Sequence, residues 1–134
     1  MAQIVANSKA LAKALHDRGI TVLGAHKGFT ETHQVIVDVK KFGGGLDVAH
    51  KLAKANIITN KNLIPSDKPD DWDYPSGLRI GTIEITRLGM KEAEMDIIAD
   101  YIVRALENQE PVESVRKRVI EMRTGYQKIH YCFD

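Results

Sequence analysis

The sequence predicts an α+β fold in which helices cover a small mixed or antiparallel sheet. Segments near both ends carry apolar residues at helical spacing, and a valine-rich segment between them alternates apolar with polar residues. The predicted order is α-β-β-α-(β)-loop-β-α-α, with short connections. The 134 residues fit one domain, 1–134, and 43% apolar with 28% charged residues is a globular composition.

The first half of the chain contains two predicted helices and two predicted strands. Residues 3–18 repeat apolar side chains at helical spacing, and Gly19 is placed to end that helix. Residues 20–23 form a short β-branched run, and residues 33–39 alternate Val35, Val37 and Val39 with other residues. A second, shorter helix is predicted over 46–55. The strand over 33–39 has the clearest pattern, and Ile36 suggests that its second face is partly covered.

The second half begins with a long loop. Ile57 and Ile58 are interpreted as a brief strand, and residues 59–76 as one loop because they hold three of the four prolines. Residues 78–85 are predicted to be a strand.

Two helices and an aromatic tail complete the chain. The longest helix is predicted over 90–107, with Gly89 at its N-cap. A last helix is predicted to open at Pro111 and run to about Arg123. The tail 126–134 is apolar enough to dock as an edge strand or a hook.

Charge and composition exclude several classes of function. Nineteen basic and eighteen acidic residues give a net charge of +1, which argues against a nucleic-acid partner held by phosphate contacts and against a basic membrane patch. No apolar run approaches the roughly 18–20 residues of a membrane span. The single cysteine, Cys132, excludes an internal disulfide, so we predict a cytoplasmic protein.

Two patterns that suggest ligand sites are weak. The glycines at 43–45 precede a helix, and backbone N–H groups at helix starts bind anions. The chain has neither G-x-G-x-x-G nor Gly-Lys-Ser/Thr there, so a flexible connection is favoured over a phosphate-binding site. The five histidines have no zinc-ligand spacing, and we predict no metal site.

Two polar motifs are stronger candidates for binding. Asn60-Lys61-Asn62 presents amide donors and acceptors where the chain enters the long loop, although asparagines also satisfy loop backbone groups. Arg79 lies between apolar neighbours in a predicted strand, where its guanidinium needs a carboxylate or phosphate. That partner is either a ligand or an internal aspartate, such as Asp38 or one in the loop, and the residues alone favour neither.

Four motifs in one order resemble a known family. They are TETH at 30–33 before the valine-rich strand, NKN at 60–62, SGLRIGT at 76–82 and TRLG at 86–89. So arranged, they are similar to the C-terminal small domain of serine hydroxymethyltransferase, also called glycine hydroxymethyltransferase. The resemblance covers residues 3 to about 107, and the stretch 84–90 looks more like the archaeal branch than the bacterial one.

The resemblance implies a fold-type-I pyridoxal-phosphate enzyme, normally a homodimer or larger, in one-carbon metabolism and amino-acid biosynthesis. The predicted α+β fold would then be that of the C-terminal domain of such an enzyme. It transfers the hydroxymethyl carbon of serine to a reduced pterin and yields glycine. In that family the arginine of the SGLR block holds the substrate α-carboxylate, which is Arg79 here. The second asparagine of the NKN block approaches the pterin, which is Asn62 here. The loop sequence Trp72-Asp73-Tyr74 departs from the common folate-binding pattern, so the resemblance leaves folate and a methanopterin-like pterin both open.

The resemblance also implies that a large domain is missing from these 134 residues. The family's Schiff-base lysine and the residues that hold pyridoxal phosphate belong to that domain, and His26-Lys27 resembles the lysine block only superficially. We therefore expect no catalytic residue in this chain, no cofactor bound to it alone, and no turnover without the large domain. The alternative is a stand-alone module of related ancestry that binds an amino acid or a protein partner.

Overall fold

The computed structural model describes residues 2–23, 34–57, 59–64, 67–68, 70, 74–107 and 109–125, with Glu84 described by its backbone alone. The helices are α1 Ala2–Asp17, α2 Gly45–Lys54, α3 Ile83–Arg87, α4 Glu92–Leu106 and α5 Val112–Thr124, and a short 3-10 turn spans Lys40–Phe42. The strands are β1 Thr21–Val22, β2 Gln34–Asp38, β3 Asn60–Asn62 and β4 Gly77–Gly81.

The four strands form one antiparallel sheet in the order β1-β2-β4-β3. Because successive strand residues point to opposite faces, one face collects apolar side chains and the other collects polar ones. The apolar face consists of Val22, Val35, Val37, Leu78 and Ile80, each no more than 6% exposed. This arrangement confirms the predicted α+β class and resolves the sheet as antiparallel.

Helices pack on the apolar face and complete the core. Leu11 and Leu15 of α1, Leu52 of α2, and Met95 and Ile102 of α4 are at most 1% exposed and belong to the same hydrophobic cluster as the strand residues. The two-layer arrangement leaves the other face of the sheet pointing away from the core. No helix in the described ranges is long and apolar enough to cross a membrane.

A buried polar network ties α1 to the segment that follows β4. The fully buried Asn7 donates its side-chain amide to the Thr86 hydroxyl at 2.8 Å and to the Met90 carbonyl at 2.9 Å. The Ser8 and Thr82 hydroxyls share a hydrogen bond of 2.6 Å. Buried polar groups destabilise a fold unless they are hydrogen-bonded. Because these groups are paired with one another, the network fixes the path of the chain from β4 into α3.

One predicted strand is not found, and another is shorter than predicted. Ile57 lies outside any strand, and Ile58 lies outside the described residues. The strand in this region is β3, formed by Asn60–Asn62, where the sequence predicted a loop. The strand predicted over 78–85 ends at Gly81, and Ile83 begins helix α3. A three-residue polar strand shows no alternation of apolar residues by which it could be predicted. Over so short a stretch, Ile83 and Ile85 fit the spacing of a strand as well as that of a helix.

The other predicted elements agree with the structure within a few residues, apart from two details. The helix over 90–107 begins later, at Glu92, with Lys91 at its N-cap, and α1 is one residue longer than α4. Gly89 instead has φ +93° behind α3, just as Gly19 has φ +90° behind α1. The turn region up to His33 and the tail 126–134 lie outside the described residues.

Candidate functional site

The polar face of the sheet brings the two predicted binding residues together. Arg79 in β4 lies directly opposite Asn60 in β3, and Asn62 lies opposite Gly77. Asn60, Asn62 and Arg79 therefore point to the same side, away from the core. Diagonal neighbours on antiparallel strands have Cβ atoms about 7 Å apart, so Asn62 and Arg79 can contact different parts of one ligand assembly.

Arg79 is half-buried on this face, with Ile36 of β2 on one side and Asn60 on the other. In the described part of the chain no carboxylate forms an ion pair with it. Asp38, one of the internal partners considered above, accepts a hydrogen bond from the Lys40 backbone N–H at 2.9 Å instead. The Arg79 guanidinium can therefore pair with a group that lies outside the residues that the structure describes.

Asn62 closes the edge strand and is half-buried. Its amide nitrogen donates to the Leu63 carbonyl at 2.8 Å, which orients the side chain at the end of β3. Its amide oxygen has no hydrogen-bond partner among the described residues. A polar ligand at this end of the face would therefore meet an oriented acceptor.

The glycines at 43–45, the last of which begins α2, form a close backbone contact rather than an anion site. Their N–H groups all donate to carbonyls of the chain: Gly43 to Lys40 at 3.1 Å, Gly44 to Val39 at 3.1 Å and Gly45 to Pro75 at 2.8 Å. A Cβ on Gly45 would collide with the Gly77 carbonyl oxygen. The chain does connect β2 to α2 here, as predicted, but its glycines allow a close approach to the start of β4.

One loop carboxylate joins both ends of the loop that precedes β4. Asp67 accepts the Ser76 hydroxyl on Oδ1 at 2.6 Å, and its Oδ2 accepts the backbone N–H groups of Ser76 at 2.8 Å and Ile64 at 3.1 Å. The Ser76 hydroxyl, followed by the Ser76 N–H, lowers the pKa of Asp67 from its usual 3.8. Asp67 is therefore ionised at neutral pH, and its carboxylate connects the two ends of the loop.

Sequence reasoning singled out the motif that contains the exposed Asn60, but it missed the contacts of Asp67. The aspartate was one of several in the loop, and only its short side chain, which suits backbone N–H groups in turns, could have singled it out. Within the described residues no group of three or more histidine, cysteine, aspartate or glutamate side chains is placed to hold a metal ion.

An apolar cavity of about 250 Å³ lies behind the sheet, among α3, α4 and α5. Its walls are mostly apolar, including Ile85, Ile98 and Val119. Because it opens on the core side, Arg79 and Asn62 do not line it. The cavity therefore lies apart from the polar face.

The model of the family described as serine hydroxymethyltransferase matches residues 1–102, which include β3, β4 and both predicted binding residues. The chain belongs to the serine hydroxymethyltransferase family. The resemblance carried by the four motifs is thereby confirmed.

Curated serine hydroxymethyltransferases match almost the whole chain. The protein from Saccharolobus islandicus is 52% identical over 132 residues, covering 98% of this chain, and that from Methanocella arvoryzae is 52% identical over 133 residues, covering 99%. The chain spans only 30% and 31% of those two relatives. These archaeal organisms agree with the archaeal-like character of the stretch 84–90.

A solved structure has the same fold. The L-threonine transaldolase from Pseudomonas fluorescens, in its internal aldimine state, superposes with a TM-score of 0.80 at 31% identity and covers 93% of this chain. Only 28% of the transaldolase chain is matched. In both comparisons this serine hydroxymethyltransferase domain corresponds to under a third of a larger chain.

Proposed function

We propose that this chain forms one wall of the active site of a serine hydroxymethyltransferase, a pyridoxal-phosphate enzyme that converts serine and a reduced pterin into glycine and a methylene-pterin. The observation that carries the proposal is the polar face, where Arg79 and Asn62 point the same way and Arg79 has no carboxylate partner among the described residues. The substrate carboxylate would supply that partner.

Arg79 would bind the α-carboxylate of serine. Its planar guanidinium offers two parallel N–H donors that match the two carboxylate oxygens, and both partners are charged. Pairing with β2 and β3 on either side fixes the backbone from which the side chain extends. A fixed carboxylate would orient the rest of the substrate.

Asn62 would bind the pterin. The amide oxygen at the end of β3 can accept a hydrogen bond from an N–H group of the heterocycle. Since Asn62 lies diagonally from Arg79, the pterin and the serine carboxylate would lie side by side along the sheet.

The described strand residues of the polar face offer no lysine for pyridoxal phosphate. Among the strand residues on the polar face, Arg79 is the one cationic side chain, and no lysine is present for a Schiff base. When bound, the cofactor acts as an electron sink for carbanion chemistry. We therefore assign its binding to a large domain of the same cytoplasmic enzyme, which would act as a homodimer, and we expect the isolated chain to be inactive.

The test uses a chimaera in which this chain replaces the matching 31% of the Methanocella arvoryzae relative. Arg79→Lys loses a charge-assisted hydrogen bond worth roughly 1.5–3 kcal/mol, so the KM for serine should rise about 10- to 100-fold. Asn62→Ala should raise the KM for the pterin, measured with tetrahydrofolate and with tetrahydromethanopterin in parallel. Arg116→Lys, an exposed change on α5, serves as the matched control.

Three outcomes would contradict the proposal. An unchanged serine KM in Arg79→Lys would remove the carboxylate role, and an equal pterin effect in Asn60→Ala would remove the assignment to Asn62. Glycine formation by the isolated chain with serine, pyridoxal phosphate and a pterin would show that the chain is not merely a wall.

A further inference from the structure

The long loop between β3 and β4 is closed by a single side chain. The Asp67 carboxylate accepts three hydrogen bonds, from the Ile64 N–H at 3.1 Å, the Ser76 N–H at 2.8 Å and the Ser76 hydroxyl at 2.6 Å. We refer to Asp67, Ile64 and Ser76 as the Asp67 clasp. Since hydrogen bonds to a charged acceptor are the stronger kind, this clasp is a strong polar constraint on the loop.

The clasp closes the loop beside the candidate site. Ile64 follows Asn62 closely in sequence, and Ser76 directly precedes Gly77, which is the register partner of Asn62. The Ile64 side chain packs where a Cβ on Gly77 would stand, and Ile64 is only 6% exposed. The carboxylate therefore holds the two chain segments together at the strand pair that carries Asn62.

The two binding residues depend on the clasp to different degrees. Arg79 lies in β4, which is paired on both sides, and the chain leading into β4 is also held by the hydrogen bond from the Val39 N–H to the Ser76 carbonyl at 2.9 Å. Asn62 ends β3, an edge strand of three residues whose only strand partner in the described sheet is β4. Loss of the clasp should therefore release Asn62 and leave Arg79 in place.

We propose that Asp67 is a positioning residue that holds Asn62 in the orientation in which it meets the pterin. This inference rests on the proposed function of Asn62 and assigns Asp67 no contact with substrate or cofactor. An Asp67→Asn change places an amide that can accept fewer bonds against three donors, so the clasp opens while the loop keeps its length.

The first measurement reads the clasp itself. Hydrogen exchange of the chimaera, followed by mass spectrometry, should show the Ile64 and Ser76 amides exchanging at least about tenfold faster in Asp67→Asn. Peptides from β2 should be unchanged. Asp70→Asn is the matched control, because this exposed aspartate in the same loop has no hydrogen bond or ion pair among the described residues and loses the same charge.

The second measurement reads the consequence for binding. In the chimaera, Asp67→Asn should raise the KM for the pterin several-fold, measured with whichever of tetrahydrofolate and tetrahydromethanopterin the chimaera uses, and leave the KM for serine within twofold. Ser76→Ala, which removes only the hydroxyl donor, should give a smaller change in the same direction. If Asp67→Asn does not fold, the same two KM values can be measured in Ser76→Ala.

The possible failures separate the two proposals. Faster exchange with an unchanged pterin KM, in an enzyme where Asn62→Ala does raise it, would overturn the role of Asp67 and leave that of Asn62. An equal rise in both KM values, or the same result in Asp70→Asn, would also overturn it. If Asn62→Ala itself leaves the pterin KM unchanged, the proposed function of Asn62 falls, and the role of Asp67 falls with it.

Discussion

Replacing Gly45 by alanine should destabilise the domain, although the same substitution in a helix normally stabilises it. Gly45 is the first residue of α2, and its N–H donates to the Pro75 carbonyl at 2.8 Å. An added Cβ would stand 3.1 Å from the Gly77 carbonyl carbon and 3.2 Å from the Pro75 carbonyl oxygen, and closer still to the Gly77 carbonyl oxygen. All three atoms belong to the backbone, which cannot rotate away as a flexible side chain would.

The magnitude follows from two opposing effects. Alanine gains about 1 kcal/mol over glycine from helix propensity. Overpacking typically lowers the free energy of unfolding by about 1–3 kcal/mol. Because the atoms that the new Cβ would meet belong to the backbone, Gly45→Ala falls at the upper end of this range or beyond it. The net loss is therefore at least about 2 kcal/mol, which for a domain of this size lowers the Tm by roughly 8 °C.

Thermal unfolding of the 134-residue chain, followed by circular dichroism, measures this change. Gly81→Ala is the matched control, because nothing lies within 4 Å of its Cβ position and its φ is not positive. It should be neutral or more stable by about 0.4–1 kcal/mol, since alanine restricts the unfolded chain. A Tm for Gly45→Ala equal to or above that of the unmodified chain would refute the close approach of α2 to the start of β4.

Two further predictions concern the buried network and the loop. Asn7→Ala removes an amide that donates to two buried acceptors, so the free energy of unfolding in urea should fall by about 2–3 kcal/mol, against less than about 0.5 for the exposed Asn60→Ala. The Ser76 hydroxyl lowers the pKa of Asp67 in the folded state. The ionised carboxylate therefore stabilises the fold fully at pH values well above the ordinary pKa of 3.8, and this stabilisation is lost as the pH falls through the lower folded-state pKa. The Tm difference between the unmodified chain and Asp67→Asn should accordingly shrink from pH 5 downwards; a difference that grows on acidification would contradict this linkage.

The sequence predicted the fold class and most elements because their signals are local. Residues 3–18 have a helical apolar stripe, and the alternation of valines in β2 specifies both a strand and the face it buries. Strand β3 could not be found in this way. Its residues are polar, and pairing with β4, from a distant part of the sequence, makes them a strand.

The site was predictable in part for the same reason. Arg79 between apolar neighbours and the paired asparagines are visible as residue types, and the motif resemblance suggested a role for each. The shared orientation of Asn62 and Arg79 depends on the register between β3 and β4, which no local pattern encodes. The clasp around Asp67 depends on which of several loop aspartates reaches backbone N–H groups at both ends of the loop.

The segment Ser-Gly-Leu-Arg can now be explained residue by residue. Ser76 supplies two of the donors that hold Asp67, and Gly77 leaves the space that a loop side chain and the β3 backbone occupy. Leu78 is fully buried and attaches the strand to the core, so that Arg79, one residue on, must point to the opposite face. A one-residue slip in this segment would place the guanidinium in the core and the leucine on the polar face, so the proposed binding by Arg79 depends on this register. Three constraints act on that register and meet at the start of this short strand. They are the Asp67 clasp, the backbone contact with the glycines of α2, and strand pairing on both edges of β4.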